Sequence, residues 1–357
     1  MLLGTAVTRR IRRLAPVLCL LALMLSSCTP DHYPQTALRP IADFARIGDD
    51  IQMTTFWWAL AVFVLVEGAL VYAIFRFRGK PDDPEPKQVH GNTTIEIIWT
   101  VVPALILAAI AVPTVRGIFE TATIPGADAL EVQVIGHQWW WEFRYPSLNL
   151  TTANELHIPV GQTVSLKMKT ADVVHSFWNP RMAGKRDVFP NRETRLWFKA
   201  EQPGEYPGQC AEFCGIQHAR MAFRVRAQSA EEFQAWGAHM QTLKAKAAAA
   251  PADSAQTPKE PAQGPVYTAG EKLFQTKGCV ACHSLNAFEA PKGMIGPNLA
   301  NVGARTYIAA GTLKNTDDNL AHWIRDPQGI KKGVLMPNLG ISVGDSKTLA
   351  AYLRAHQ

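Results

Sequence analysis

Two apolar stretches constrain this chain more than any other feature. Residues 53–75 read MTTFWWALAVFVLVEGALVYAIF, and residues 95–119 read IEIIWTVVPALILAAIAVPTVRGIF. Each reaches or exceeds the roughly twenty residues that cross a bilayer as a helix. In lipid every peptide group must find a partner inside the segment, which leaves the helix as the spanning form. Pro103 and Pro113 are tolerated there when neighbours satisfy the groups they free. Between the stretches stand Arg76, Arg78, Lys80 and Lys87. Short loops rich in Lys and Arg stay in the cytoplasm. The N-terminal part and everything after residue 120 then face outward. A helical hairpin over residues 40–120 is expected to anchor a large exported part.

The first residues carry their own export signature. Arg9, Arg10, Arg12 and Arg13 precede the apolar run LAPVLCLLALML. A core of about twelve apolar residues is too short to span and fits a signal peptide. The run ends in LSSC at Cys28, which resembles a bacterial lipobox. Residues 1–28 are therefore expected to be a signal peptide, with Cys28 as a lipidated N-terminus. The alternative is an ordinarily cleaved signal with an incidental cysteine. Cys19 lies inside the signal and reads as apolar filler.

The chain has 357 residues, room for two or three domains, and a hydrophobic share of 47% excludes a disordered or fibrous protein. The net charge of +6 comes without a Lys/Arg-rich tract, so no nucleic-acid partner is expected. Residues 121–228 read as all-β. ALEVQVIGHQWWWEFRY, ELHIPVGQTVSLKMKT, RLWFKA and MAFRVRA alternate or are rich in β-branched and aromatic residues. Several short strands at such spacing suggest a sandwich or barrel. In the Trp run, read as strand, Trp139 and Trp141 share one face and Trp140 takes the other. Ser229 and Glu232 form a capping box that opens a helix. An Ala/Pro-rich linker completes residues 229–265. Residues 266–357 read as a small, mostly helical domain.

That last domain contains CVACH, Cys279 to His283. Cys-x-x-Cys-His is the attachment motif of c-type haem. Cys279 and Cys282 would bond the haem and His283 would be one axial ligand, with a methionine as the other. Met294 is only eleven residues further on, whereas Met336 in GVLMPNLG is far enough to reach the opposite face, and is preferred. A zinc knuckle or redox dithiol is the competing reading of the cysteines alone. The segment resembles small class I cytochromes c.

A second set of soft ligands lies in GQCAEFCGIQHARM, residues 208–221. Cys210, Cys214, His218 and Met221 together favour copper over calcium or magnesium. A disulfide between Cys210 and Cys214, or a zinc site, is the alternative. Two cysteines leave room for a second copper, and His175 in ADVVHSFWNP is the candidate for a second imidazole. His137 reads as structural, beside the Trp run. His157 reads as surface or partly buried.

Taken together, HSFWNP, GQCAEFCGIQHARM, GHQWWWEFRY and the hairpin resemble cytochrome c oxidase subunit II and its dinuclear copper (CuA) signature over about residues 40–227. With the haem segment, the whole chain resembles subunit II of the caa-type bacterial oxidases. The resemblance implies a two-helix transmembrane hairpin, a cupredoxin-like Greek-key β-barrel and a small all-α class I cytochrome c domain. It implies Cys210 and Cys214 as bridging thiolates, His175 and His218 as terminal ligands and Met221 as a weak axial ligand. Glu212 would bind through its main-chain carbonyl, and its side chain would reach a magnesium ion shared with subunit I. Trp139 maps to the family's electron-entry aromatic. Glu96, three residues before Trp99, maps to a proton-entry acid.

The expected role follows from the resemblance. An external donor, a cytochrome c or a membrane complex, would reduce haem c. Electrons would pass to the copper pair and on to subunit I, where dioxygen is reduced with proton pumping. Subunit III and membrane lipid are further expected partners. The place would be the bacterial cytoplasmic (inner) membrane, with both cofactor domains on the periplasmic face. Between residues 128 and 227 stand ten acidic and twelve basic side chains. Without an acidic surplus to attract a basic soluble cytochrome, a tethered haem fits as the direct donor. The alternatives are the copper-bearing subunit of a nitric oxide reductase and a copper-delivery protein. The signal reading predicts that the mature chain begins at Cys28 and carries lipid. Intact-mass measurement should show that addition, and Cys28→Ser should abolish it.

Overall fold

The computed structural model describes residues 33–79, 84, 85, 87–89, 91–248, 265–286 and 295–356. The signal peptide with Cys28, most of the linker, Lys80 and Met294 lie outside the described residues.

Two long helices come first, α1 (Asp43–Arg76) and α2 (Thr93–Ala122). They are apolar enough to cross a membrane. No residue of α1 is buried, and in α2 only Gly117 is. A Cβ at Gly117 would sit 2.7 Å from Ile51 Cδ1, so the missing side chain is what lets the two helices touch there. Phe63, Leu65 and Leu107 instead point outward, more than half exposed. Such a surface suits lipid or a partner's helices rather than water. Asn92 caps α2, its side chain accepting from Ile95 N, while Glu96 Oε1 accepts from Asn92 N at 3.3 Å. Glu96 thus stands at the loop end of the hairpin.

The outer ends of both helices are fastened to a β domain. Its strands are β1 (Leu130–His137), β2 (Trp140–Tyr145), β3 (Leu150–Ala153), β4 (Glu155–Pro159) and β5 (Thr163–Thr170). They continue with β6 (His175–Trp178), β7 (Lys185–Val188), β8 (Thr194–Lys199), β9 (Gly204–Cys210) and β10 (Ala222–Gln228). Ala42 bridges to Ala200, and Asp43 Oδ1 accepts from Lys199 N at 2.8 Å. Trp197, on β8, packs edge-on against Phe44 at 5.4 Å and donates to the Thr121 carbonyl. The start of α1 and the end of α2 therefore meet the same strand, which puts the β domain at one end of the hairpin and the basic loop at the other.

The strands form two five-stranded sheets, ordered β3-β2-β1-β5-β8 and β4-β10-β9-β6-β7. Pairing is antiparallel except for β1 with β5 and β4 with β10. Between the sheets Phe177 stacks on Phe223 at 4.3 Å, with Trp141 edge-on to both. Tyr145 ties β2 to β4 by donating to the His157 carbonyl and accepting from its N–H, at 2.9 and 2.8 Å.

Two expectations change here. GHQWWWEFRY is not one strand: β1 ends at His137, β2 starts at Trp140, and Gln138 and Trp139 make the turn between them. Asp172 holds that turn by accepting from Gln138 N at 2.7 Å. Trp139 is thereby freed from strand alternation, and only Trp140 and Trp141 point to opposite faces. His157 is not at the surface but 4% exposed, stacked on Trp236 at 4.3 Å and bonded to Gln228. Trp236 belongs to the helix α3 (Ala230–Ala248), whose capping box is formed as expected, Ser229 N to Glu232 Oε2 and Glu232 N to Ser229 Oγ.

The C-terminal domain packs α4 (Pro265–Thr276), α5 (Asp317–Arg325), α6 (Pro327–Ile330) and α7 (Val343–Arg354) around Phe274, Ile324, Leu349 and Leu353. A two-residue hairpin, β11 (Tyr307–Ile308) with β12 (Leu313–Lys314), projects from it. That hairpin lies on the β domain, where Ala222 N donates to the Ala310 carbonyl at 3.0 Å and Glu155 Oε1 accepts from Thr306 N at 2.8 Å.

Tyr145→Phe removes one hydroxyl that serves two buried backbone groups. It should destabilise the β domain by about 1–3 kcal/mol, read as a lower denaturant midpoint in the purified protein.

Candidate metal centre and cofactor cavity

Cys210 ends β9, and the loop 211–221 returns to β10 with Cys214, His218 and Met221 on it. The loop is held at both ends, by Cys210 N donating to Met221 O at 2.9 Å and Ala211 N donating to Ser176 O at 3.0 Å. His175 arrives from the neighbouring strand β6, which pairs Phe177 with Cys210. A Cβ at Gly136 would stand 2.8 Å from His175 Cδ2, so the glycine on β1 makes room for the imidazole.

The four soft ligands and His175 converge. Cys210 Sγ and Cys214 Sγ are 3.8 Å apart. That is well beyond the ~2.05 Å of a disulfide, and both cysteines are free. His175 Nδ1 lies 3.9 Å from Cys210 Sγ, and His218 Nδ1 lies 3.6 Å from Cys214 Sγ. Met221 Sδ is 3.9 Å from Cys214 Sγ, and the Glu212 carbonyl is 3.3 Å from Cys210 Sγ. The ligand atoms of His175, Cys210 and Cys214 all lie within 4.8 Å of one another. One imidazole thus attends each sulfur, and the carbonyl and the thioether lie on different sulfurs.

Electrostatics favour cation binding. The Cys214 thiol, hydrogen-bonded to Cys210, pulls the Cys210 pKa well down, while the Cys214 pKa is pushed up by the thiolate beside it. Burial would lower the His175 pKa, but hydrogen bonds to Asp172 and Cys210 outweigh it and raise it. His175 Nε2 lies 2.8 Å from Asp172 Oδ1. A carboxylate only accepts, so Nε2 carries the hydrogen and Nδ1 is left to face the sulfurs. Asp172 is a residue that sequence reasoning missed. Its only sequence sign is a place three residues before a candidate ligand.

Trp139 and Gln138 reach the same loop from the β1–β2 turn. Trp139 Nε1 donates to the Cys214 carbonyl at 3.0 Å, and Gln138 Nε2 donates to it at 2.8 Å. Glu212 and Phe213 stay exposed, Phe213 at 76%. Glu96 is not part of this cluster; it stands at the far end of the hairpin.

The C-terminal domain holds a cavity of about 340 Å³. Cys279, Cys282, His283 and Met336 all line it, so four separated ligand candidates meet in one space. His283 Nδ1 donates to the Pro297 carbonyl at 2.8 Å, which leaves Nε2 as the lone-pair nitrogen. Burial lowers the His283 pKa and keeps the ring neutral. Arg305 and Lys331, 7% and 1% exposed, also line the cavity. Among the described residues neither has a carboxylate in ion-pair contact. Lys331 Nζ is taken up by the Arg220 and Ala309 carbonyls, so Arg305 is the buried cation that suits a group bringing carboxylates of its own. An apolar cavity with two thiols, an oriented imidazole, a thioether and a buried guanidinium fits haem.

Trp139 and Trp140 of the β domain line this cavity too. Trp140 Nε1 donates to the Ile295 carbonyl at 3.2 Å, and its ring stacks on His137 at 4.1 Å. His137 is thus structural, as expected, and holds a ring that faces the cavity. The turn that touches the sulfur cluster through Trp139 therefore also forms a wall of the second cavity. Asp172→Ala should weaken copper binding by about 10–100-fold, measured by chelator competition, with the fold retained by circular dichroism.

Comparison with known proteins agrees with this arrangement. Residues 40–116 match the transmembrane domain of cytochrome C oxidase subunit II, residues 147–228 its periplasmic domain, and residues 267–357 cytochrome c. Cytochrome c oxidase subunit 2 of Alkalihalophilus pseudofirmus is 37% identical over 346 residues, 95% of each chain. That of Bacillus subtilis is 34% identical over 358 residues, 95% of this chain and 96% of the relative. Among solved structures, the periplasmic domain of subunit II of cytochrome oxidase from Bradyrhizobium japonicum is 31% identical. It covers 34% of this chain and 98% of its own, with a TM-score of 0.32. The chain belongs to the cytochrome c oxidase subunit II family, in the form that carries a cytochrome c domain after the periplasmic domain.

Proposed function

We propose that this chain is the electron-entry subunit of a proton-pumping haem-copper terminal oxidase of the bacterial inner membrane. Electrons would pass from an external donor through haem c and a dinuclear copper centre to subunit I, where dioxygen is reduced to water. Membership of the family implies copper in the periplasmic domain and haem in the cytochrome domain. When bound, the two metals supply one-electron redox chemistry, and the chain's residues hold and orient them.

The observation that carries the reading is the sulfur pair. Two buried thiols 3.8 Å apart, each with its own imidazole, would together hold two soft metal ions. Cys210 and Cys214 are assigned as the bridges, His175 and His218 as terminal ligands, Met221 as the axial thioether and Glu212 as a carbonyl ligand. The exposed Glu212 side chain is assigned to a magnesium ion shared with subunit I. A rigid ligand cage lowers the reorganisation that accompanies electron transfer, and this one is fixed by two strands and by Asp172.

In the second cavity Cys279 and Cys282 are assigned to covalent haem attachment, and His283 and Met336 to its axial positions. Trp139 is assigned to electron entry, supported by its bond to the Cys214 carbonyl and its place in the wall of the haem cavity. Glu96 is assigned to proton entry, supported by its place in the first turn of α2, at the loop end of the hairpin. Outward-facing apolar side chains along α1 and α2 suit subunits I and III. The donor is assigned as a cytochrome c or a membrane complex.

The purified complex should contain two coppers and one covalent haem c per copy of this chain. A mixed-valence paramagnetic signal shared over two coppers should accompany them. Turnover with dioxygen should exceed turnover with nitric oxide. Faster nitric oxide reduction would reassign the chain to a nitric oxide reductase, and labile binding of a single copper would reassign it to copper delivery.

A further inference from the structure

The two ligand loops are fastened to each other across the domain boundary. Gln217, beside His218, donates through Nε2 to the Lys332 carbonyl at 2.5 Å. Arg220, beside Met221, donates to the Ile330 carbonyl. In the reverse direction Lys331 Nζ donates to the Arg220 carbonyl at 2.8 Å and to the Ala309 carbonyl at 3.1 Å. Three consecutive residues, Ile330 to Lys332, thus hold the segment that bears His218 and Met221. They stand just before Met336 on the other side.

Lys331 is the unusual member. It is 1% exposed, among the largest fully buried side chains, and its bonded partners are carbonyls. Burial, and then the Arg220 guanidinium, pull its pKa down to about 8. A buried ammonium costs free energy unless it is well bonded, and a hydrophobic side chain of similar length would fill the same space. The ammonium does what such a side chain cannot. It grips a carbonyl in each domain at once, one residue from Met221 and beside the β11–β12 hairpin that lies on the β domain.

We propose that Lys331 is a positioning residue for electron transfer, locking the loop that ends in Met336 to the loop that carries His218 and Met221. The proposal rests on the copper and haem assignments above. Lys331 touches neither metal's assigned ligands and acts through the Arg220 and Ala309 carbonyls. Its loss should leave both metal sites built while loosening their mutual placement. The haem should still accept electrons from outside, and the copper site should receive them more slowly.

The test uses the intact oxidase complex with Lys331→Met, which keeps length and apolar bulk, and with Lys331→Arg, which keeps a cation and its donors. Haem c is reduced by a flash from a soluble photoreductant, and electron arrival at the copper site is followed optically. Charged hydrogen bonds bias such a contact strongly, so the haem-to-copper rate in Lys331→Met should fall about 10-fold or more. Haem reduction by the photoreductant and the paramagnetic copper signal should stay unchanged. Lys331→Arg should restore the rate to within about threefold, since a guanidinium can also donate to both carbonyls. An unchanged rate in Lys331→Met overturns the proposal. If Lys331→Met loses haem or copper, Lys331→Arg decides: a near-native rate supports the role, and a slow rate with both signals intact overturns it. Absence of the copper or haem signal from the unmodified complex would instead sink the cofactor assignments.

Discussion

Two thiols held close together without a disulfide between them are the constraint on which the rest of this molecule depends. At 3.8 Å, Cys210 and Cys214 are close enough to share metal ions and too far apart for a disulfide. That spacing is not a property of the Cys-x-x-x-Cys segment by itself. It is imposed by the end of β9, by the Cys210–Met221 backbone bond that closes the loop, and by Trp139 and Gln138 donating to the Cys214 carbonyl. His175 enters because β6 lies beside β9 and because Gly136 leaves it space.

The same turn that steadies the sulfurs meets the cytochrome domain. Trp139 and Trp140 are adjacent, yet one bonds to the Cys214 carbonyl and the other to the Ile295 carbonyl. The break between β1 and β2 makes this division of labour available, since a continuous strand would have sent them to opposite faces of one sheet. At its other end the β domain grips both membrane helices through β8, so the sulfur cluster is tied to the membrane anchor by strands rather than by a flexible link. This arrangement places the sulfur cluster between the membrane helices and the cytochrome domain.

Much of this was legible in the residues. The two apolar runs became α1 and α2, and the capping box at Ser229 and Glu232 became the start of α3. The soft-ligand loop and the Cys-x-x-Cys-His motif marked their sites, because side-chain chemistry and short spacing are local properties. The hairpin break at Gln138 and Trp139 was not legible. Strand propensity runs unbroken through GHQWWWEFRY, and the turn is held by Asp172, which is 34 residues away. The full burial of His157, read as surface or partly buried, was hidden for a similar reason, since Trp236, which covers it, comes from a helix beyond the β domain.

The sequence by itself determined which elements could cross a membrane, which side chains could hold copper and haem, and roughly where each domain lies. These follow from hydropathy, periodicity and ligand chemistry, all of which act over a few residues. Only the tertiary structure decided that His175 faces Cys210, that Asp172 sets its tautomer, and that Lys331 is buried between the two ligand loops. Those facts depend on sheet order and on how two domains meet. Residues more than a hundred positions apart, such as Arg220 and Lys331, acquire their relation only when the chain has closed around them.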